Sequence, residues 1–242
     1  MIVHSKESSL VVTVCALLLV VCAVILSSAP PTASQSSADL HQPTGATFPP
    51  DFQGDELTAW TSLFDGKSLG DWKTSEFGGD GEVTVEDGCI ILGAGVDLTG
   101  IKTDRKLAKQ NYEVALEARR VDGADFFCGL TFPVGDDPCS LIVGGWGGGV
   151  IGLSSIDDMD ASENDSTTYH SFENGRWYRI RLRVTPKQIQ AWIDDKLIVD
   201  QDITNRRISI RSEVELSKPF GFASWQTTAA LRDIRIRELP PE

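Results

Sequence analysis

Histidine is scarce in this 242-residue chain, which contains only His4, His41 and His170. Two of the three precede residue 50, so their number excludes a histidine-rich metal site in the later part of the chain. A catalytic triad would have to use His170, although a single histidine more often has a structural role. The sequence also lacks the hydrolase elbow, the phosphate-binding loop and the zinc-protease motif. None of these common chemistries is therefore indicated.

Basic residues are also in short supply. The chain has 22 Lys and Arg against 35 Asp and Glu, which gives a net charge of −13. Such a chain repels phosphate backbones, so nucleic acid is not an expected partner, whereas neutral ligands, cations and basic surfaces remain compatible. Hydrophobic residues make up 41% of the chain, enough for a packed core.

Long apolar runs are confined to the N-terminus, where residues 10–26 are interrupted only by Thr13. Residues 1–29 are predicted to be a signal peptide or a signal-anchor, and the sequence leaves cleavage open. Residues 30–58 are rich in Ser, Pro and Thr and predict a flexible linker, followed by one domain at 59–240. We expect an exported protein (periplasmic, secreted or anchored) that meets the membrane only through its N-terminal segment.

No segment shows a convincing amphipathic helical period, whereas strand-like alternation recurs along the chain. Residues 112–120 and 177–185 each have one apolar and one charged face, as strands of a sheet with one solvated side do. The arginines of the second segment are expected to face Glu113 and Glu117 across paired strands. Asp-Gly at 87–88 lies between two strand-like runs and predicts a hairpin. The fold class predicted is all-β, a two-sheet antiparallel sandwich.

Glycine is concentrated at residues 144–149, on both sides of Trp146. Glycine within a strand usually marks a bulge or a close approach of a ligand or another backbone. The run is therefore either a tight corner filled by the indole, or a bare floor on which a sugar ring stacks against it. The candidate substrate-binding residues are Trp146, Trp225, Gln226, Gly145 and Gly147.

An acidic segment, residues 157–165, is dense in hard oxygen donors of the kind that calcium prefers. Asp158 and Asp160 are candidate ligands for a calcium ion, the one cofactor that the sequence suggests. The segment does not match the helix-flanked twelve-residue calcium loop, and a solvated acidic loop is the alternative explanation.

Three cysteines follow the N-terminal segment: Cys89, Cys128 and Cys139. Cys128 and Cys139 flank a predicted hairpin and would pair in an oxidising compartment. The alternative, three small buried apolar side chains, is favoured by the demanding geometry of disulfides.

Several stretches resemble a known family. Residues 63–72 (LFDGKSLGDW) resemble its opening, 83–92 (VTVEDGCIIL) its second hairpin, and 175–178, 192–199 and 231–239 (LRDIRIREL) its later strands. Together they resemble the 3-keto-disaccharide hydrolase domain over roughly residues 60–239. The resemblance implies a jelly-roll sandwich of the concanavalin or laminin-G kind, in an exported protein.

The resemblance also implies an activity on carbohydrate, namely glycosides oxidised to a ketone at sugar carbon 3. A base removes the proton beside the ketone, the glycosidic oxygen leaves by elimination, and water adds back. His170 or Glu173 is the candidate base, Arg119 the candidate clamp for the enolate oxygen, and Trp146 and Trp225 the stacking platforms. A non-catalytic glycan-binding or surface-interaction module is the alternative, because a fold does not settle function.

Overall fold

The computed structural model describes residues 59–241, a nearly all-β segment. Its strands are β1 Thr61–Ser62, β2 Trp72–Ser75, β3 Val83–Glu86, β4 Cys89–Leu92, β5 Leu98–Thr103, β6 Tyr112–Asp122, β7 Cys128–Val134, β8 Asp137–Gly145, β9 Val150–Ser154, β10 Thr168–Tyr169, β11 Tyr178–Val184, β12 Gln188–Ile193, β13 Lys196–Asp202, β14 Phe220–Trp225 and β15 Thr228–Glu238. A 3-10 helix, Ser212–Ser217, precedes β14. The predicted leader (1–29) and linker (30–58) lie outside the described residues and stay predictions. Within the described residues, no helix is long and apolar enough to cross a membrane.

The strands form two antiparallel sheets. The eight-stranded sheet has the order β13-β12-β11-β6-β15-β4-β3, with β1 paired to β15, and the seven-stranded sheet has the order β10-β9-β8-β7-β14-β5-β2. Neighbours that are distant in sequence, such as β6 and β15, show that the chain crosses repeatedly between the sheets, as in a jelly roll. The predicted two-sheet antiparallel sandwich is therefore confirmed.

The hydrophobic core lies between the sheets, because alternate residues of each strand point inward. Fully buried core side chains of the eight-stranded sheet include Tyr178, Ile180, Leu182 and Val184 of β11. Those of the seven-stranded sheet include Leu130 and Phe132 of β7 and Leu141 and Val143 of β8. The predicted hairpin at residues 87–88 is confirmed, and both of its turn residues have positive φ, +48° at Asp87 and +77° at Gly88.

The outer face of the eight-stranded sheet carries a ladder of arginine, glutamate and tryptophan. The predicted pairing is confirmed, since Arg183 lies opposite Glu113 and Arg179 opposite Glu117. The fully buried Glu113 accepts hydrogen bonds from Arg183 Nε at 2.8 Å and from Arg237 Nε at 2.7 Å. Guanidinium groups of this face stack on the indole rings of Trp60, Trp177 and Trp192.

The outer face of the seven-stranded sheet is rich in small residues, because other segments lie directly on it. A Cβ at Gly152 would meet the carbonyl oxygen of Ala161, in the acidic loop, at 2.5 Å. A Cβ at Gly221 would meet the carbonyl oxygen of Ser217, in the 3-10 helix, at 2.6 Å. The acidic loop and the 3-10 helix therefore cover two parts of this face.

The cysteines of the sandwich are free and buried. Cys128 lies opposite Val143 in the β7–β8 ladder, whereas Cys139 lies opposite Phe132, so the two thiols are on different rungs of the hairpin. Burial raises the pKa of each of these two thiols to about 12. The interpretation as small apolar core residues is confirmed.

Candidate functional site

An open groove of about 250 Å³ lies on the outer face of the seven-stranded sheet. Its walls are the aromatic rings of Phe126, Trp146 and Trp225, with Leu98 and Asp125 beside them. Its floor is Ser140, Ile142 and Ser154, and its far rim is Arg211, Glu213 and Val214. We call this site the aromatic groove. Two of the candidate residues, Trp146 and Trp225, lie in it together.

Trp146 is the exposed aromatic wall. The register between β8 and β9 shifts after Val143, so the glycine run is a bulged corner, and Trp146 occupies it with a φ of +47°. Its side chain is nevertheless 45% exposed and is not packed in the core. The glycine run is thus the corner that one interpretation predicted, but the indole lines the groove and does not fill the corner, and stacking of a sugar ring on it stays a prediction.

Asp125 fixes the corner to the aromatic residue beside it. One carboxylate oxygen accepts a hydrogen bond from the amide of Gly147 at 3.1 Å, and the other accepts one from the amide of Phe126 at 2.7 Å. The amide of Trp225 in turn donates to the carbonyl oxygen of Phe126 at 3.1 Å. These contacts hold three aromatic rings at one end of the groove, where flat apolar faces can stack against a sugar ring.

The floor of the groove combines an apolar side chain with two hydroxyls. Ser140 is only 1% exposed, and its hydroxyl is hydrogen-bonded to that of Thr131 at 2.8 Å. Ser154 is 2% exposed, and its hydroxyl has no hydrogen-bond partner among the described residues. A buried polar atom without a partner is costly, so a polar ligand group that met Ser154 would gain a hydrogen bond.

The far rim of the groove is an ion pair on the 3-10 helix and the residue before it. Arg211 Nη2 donates to Glu213 at 2.7 Å, and Nη1 donates to Asp160 at 2.9 Å. The hydrogen bond from Arg211 lowers the pKa of Glu213 to about 2, and the same bond raises the pKa of Arg211. The rim therefore presents one ionised carboxylate and one guanidinium to the groove.

His170 lies in a separate depression that also borders the glycine run. Its ring packs edge-on against Phe172, with centroids 4.7 Å apart, and against Tyr178. Gly147 lines this depression, and a Cβ there would meet nothing within 4 Å. Gly145 is buried, and its Cβ would come within 2.9 Å of Ile142. The structure thus places His170 outside the groove that contains Trp146 and Trp225.

Three further candidates lie outside the groove. Arg119 stacks on Trp177 at 4.7 Å, on the outer face of the eight-stranded sheet, so it cannot clamp a ligand in the groove on the other sheet. Gln226 donates to the carbonyl oxygen of Val96 at 2.8 Å and does not line the groove. Glu173 is exposed and lines neither the groove nor the depression.

The calcium candidates have arginine partners. Asp158 accepts a hydrogen bond from Arg207 at 2.6 Å, and Asp160 accepts the one from Arg211. Within residues 59–241, no three Asp, Glu, His or Cys side chains lie close enough together to hold a metal ion. Calcium stays a prediction that this side-chain arrangement does not support.

Sequence reasoning missed Asp125, Phe126, Ser154, Arg211 and Glu213. Asp125 and Phe126 follow β6, and Arg211 and Glu213 belong to a segment without strand-like alternation. None of them lies in a motif, so only the folded arrangement brings them to the tryptophans.

The fold and the site define a jelly-roll β-sandwich with an aromatic groove on the outer face of one sheet. The chain belongs to the 3-keto-alpha-glucoside-1,2-lyase-like domain family, whose sequence model matches residues 59–237. The family suspected from the sequence is confirmed, and the domain is a carbohydrate-related β-sandwich.

Solved structures agree on the fold. A protein of unknown function with a galectin-like fold from Bacillus subtilis has a TM-score of 0.52 at 10% identity, covering 77% of this chain and 97% of its own. The Crh5 transglycosylase with NAG has a TM-score of 0.50 at 12% identity, covering 76% and 86%. A structure from work on endo-acting O-glycanases of the human gut microbiota has a TM-score of 0.50 at 15% identity, covering 76% and 100%. No curated protein sequence matches the chain.

Proposed function

We propose that the domain acts on 3-keto-glycosides held in the aromatic groove. The observation that carries the proposal is the shared groove itself, in which Trp146 and Trp225 face the Arg211–Glu213 ion pair. The indoles offer stacking surfaces to a sugar ring, and the ion pair offers a base and a cation to a ketone. Family membership supports the same substrate class.

The proposed reaction uses the two rim residues in turn. The Glu213 carboxylate takes the proton from the carbon beside the ketone, and the Arg211 guanidinium stabilises the enolate oxygen that forms. The enolate then expels the glycosidic oxygen, which takes the proton from Glu213 and leaves as an alcohol. Water adds to the resulting enone and gives the free 3-keto sugar.

Substrate binding would adjust the strength of this base. In the free protein, the hydrogen bond from Arg211 keeps the pKa of Glu213 near 2, where a carboxylate is a weak base. A ketone oxygen that accepts the hydrogen bond from Arg211 in place of Glu213 removes the main cause of the lowered pKa of Glu213. The Glu213 carboxylate then becomes more basic only when a substrate is present.

Binding without cleavage is the second candidate function. It is favoured by the low pKa of Glu213 and by the absence of His170 and Glu173 from the groove. In this case the indoles and the Ser154 hydroxyl would hold a glycan, and the ion pair would stay intact.

A turnover assay separates the two functions. The chain is incubated with a 3-keto-glycoside, and loss of the glycoside is followed for wild type, Glu213→Gln and the matched control Glu215→Gln, which lies on the same 3-10 helix but outside the groove. The catalytic proposal expects turnover that Glu213→Gln abolishes and Glu215→Gln retains. No turnover, together with glycan retention that Trp146→Ala abolishes, would establish the binding module instead.

We further propose that the domain works outside the cytoplasm. The support is the apolar run at residues 10–26. Cell fractionation of the full chain, compared with a chain that begins at residue 30, tests this location. Equal retention of both chains in the cytoplasm would contradict it.

A further inference from the structure

A second concavity, of about 280 Å³, adjoins the glycine run and contains a buried cation. It is lined by Arg120, His170, Ser171, Phe172 and the backbone of residues 123–124 and 147–149. We call it the Arg120 depression. Neither indole of the aromatic groove belongs to it, so its chemistry is separate from the site proposed above.

Arg120 is 5% exposed and is bonded only to neutral acceptors. Its Nε donates to the Asn174 side chain at 2.7 Å, and Nη2 donates to the carbonyl oxygen of Phe172 at 2.9 Å. Nη1 makes only long contacts, 3.3 Å and 3.5 Å, to the carbonyl oxygens of Asp125 and Gly148. No carboxylate among the described residues pairs with this guanidinium.

The nearby acid, Asp125, does not neutralise Arg120 by direct contact. Its two carboxylate oxygens accept hydrogen bonds from the backbone amides of Phe126 and Gly147 instead. Burial without a bonded counter-charge lowers the pKa of Arg120, because the charged form loses its hydration. A buried cation in this state gains from an anion that reaches it.

The other side of the depression carries two further polar side chains, His170 and Ser171. His170 Nε2 is buried and has no hydrogen-bond partner among the described residues. Ser171 is exposed on the same rim, so its hydroxyl is free to turn toward a ligand. A Cβ at Gly148 would come within 2.7 Å of Arg120 Nη1, so the bare backbone is what lets the guanidinium approach the glycine run.

We propose that the Arg120 depression binds a small oxyanion, such as a carboxylate or a phosphate, between Arg120, His170 and Ser171. The guanidinium supplies the charge, and the imidazole and the hydroxyl supply directed hydrogen bonds. The net charge of −13 repels anions from the protein as a whole, so binding there would come from these local groups and not from the general field.

Calorimetric titration of the full chain tests the proposal with three probes: inorganic phosphate, glucuronate and neutral glucose. Saturable binding of phosphate or glucuronate that His170→Ala weakens at least tenfold, and Tyr169→Phe leaves unchanged, is the expected result. Tyr169 is the matched control because it is the neighbouring residue and is 74% exposed. Preference for glucuronate would identify a carboxylated saccharide, and preference for phosphate a free phosphate group.

Two further variants keep the outcome decisive. Trp146→Ala removes one wall of the aromatic groove and is expected to leave the binding of the oxyanion unchanged. The oxyanion proposal can therefore hold even if the proposed glycoside function fails. If His170→Ala does not fold, Ser171→Ala, a substitution at an exposed residue, is compared with wild type for oxyanion binding in its place. Absence of saturable binding of both anions to wild type, or equal binding by wild type and either depression variant, overturns the proposal.

Discussion

Replacing Glu113 by glutamine should strongly destabilise the sandwich. The carboxylate is fully buried and accepts hydrogen bonds from Arg183 and Arg237, and Arg181 lies 3.9 Å away. Burial, and after it the charges of Arg183 and Arg237, lowers the pKa of Arg181 to about 10. Glutamine keeps the shape of the side chain but removes its charge, leaving the three guanidinium groups to repel one another.

Breaking a buried ion pair on one side costs about 3–5 kcal/mol, because the remaining charge is uncompensated. For a domain of this size, 1 kcal/mol corresponds to about 2–4 °C in Tm, so we expect a decrease on the order of 10 °C. Chemical denaturation of wild type, Glu113→Gln and the exposed control Glu86→Gln measures the free energy of unfolding. A loss below about 1 kcal/mol in Glu113→Gln would refute the argument that this carboxylate holds the ladder together.

Three further outcomes follow from burial and charge. Cys128 and Cys139 should resist a thiol reagent in the folded chain at pH 8 and react after unfolding. Their pKa in the folded chain is about 12, so the unfolded state ionises first as the pH rises. The free energy of unfolding should therefore fall between pH 9 and 12, by about 1.4 kcal/mol per pH unit for each thiol. The Arg211–Glu213 pair is partly exposed and should stabilise the fold by at most about 1 kcal/mol above pH 4.5. This stabilisation should be lost as the pH falls toward 2, because Glu213 then becomes protonated in the folded chain too. The Tm difference between wild type and Glu213→Gln should therefore vanish near pH 2. Asp125→Ala should weaken glycan retention while circular dichroism stays unchanged, since it releases the corner from the aromatic wall; unaltered retention would contradict its positioning role.

Much of the fold could be predicted because the period-2 pattern records which side of each strand faces the core. The arginines of residues 177–185 and the glutamates of 112–120 alternate with apolar residues, so their cross-strand pairing followed from the pattern. The Asp-Gly pair at 87–88 fixed its hairpin, because both residues tolerate positive φ.

The site was predictable only in part, because its members come from elements that are distant in sequence. The glycine neighbours of Trp146 predicted a binding role for it, and Trp225 was predicted to be a second stacking platform. Nothing local relates either of them to Arg211 or Glu213, which the 3-10 helix and the residue before it place at the groove. Arg119 was predicted to clamp an enolate, but alternation along β6 places it and its neighbour Arg120 on opposite sides of the sheet, and only Arg120 borders a concavity near the glycine run.

Trp146→Gly should separate the binding role of the indole from any structural role. The residue has a φ of +47°, a left-handed conformation that costs a residue other than glycine about 1–2 kcal/mol, and its ring is 45% exposed. Glycine removes this conformational cost but loses the buried part of the ring, about 3 kcal/mol at roughly 25 cal/mol per Å², so we expect a net loss of stability of about 1–2 kcal/mol. Glycan retention should nevertheless be lost, because the exposed face of the ring disappears. A loss of stability above about 4 kcal/mol in Trp146→Gly, as for truncation of a core tryptophan, would instead mean that the indole is held in place for packing, and the aromatic groove would lose its main binding surface.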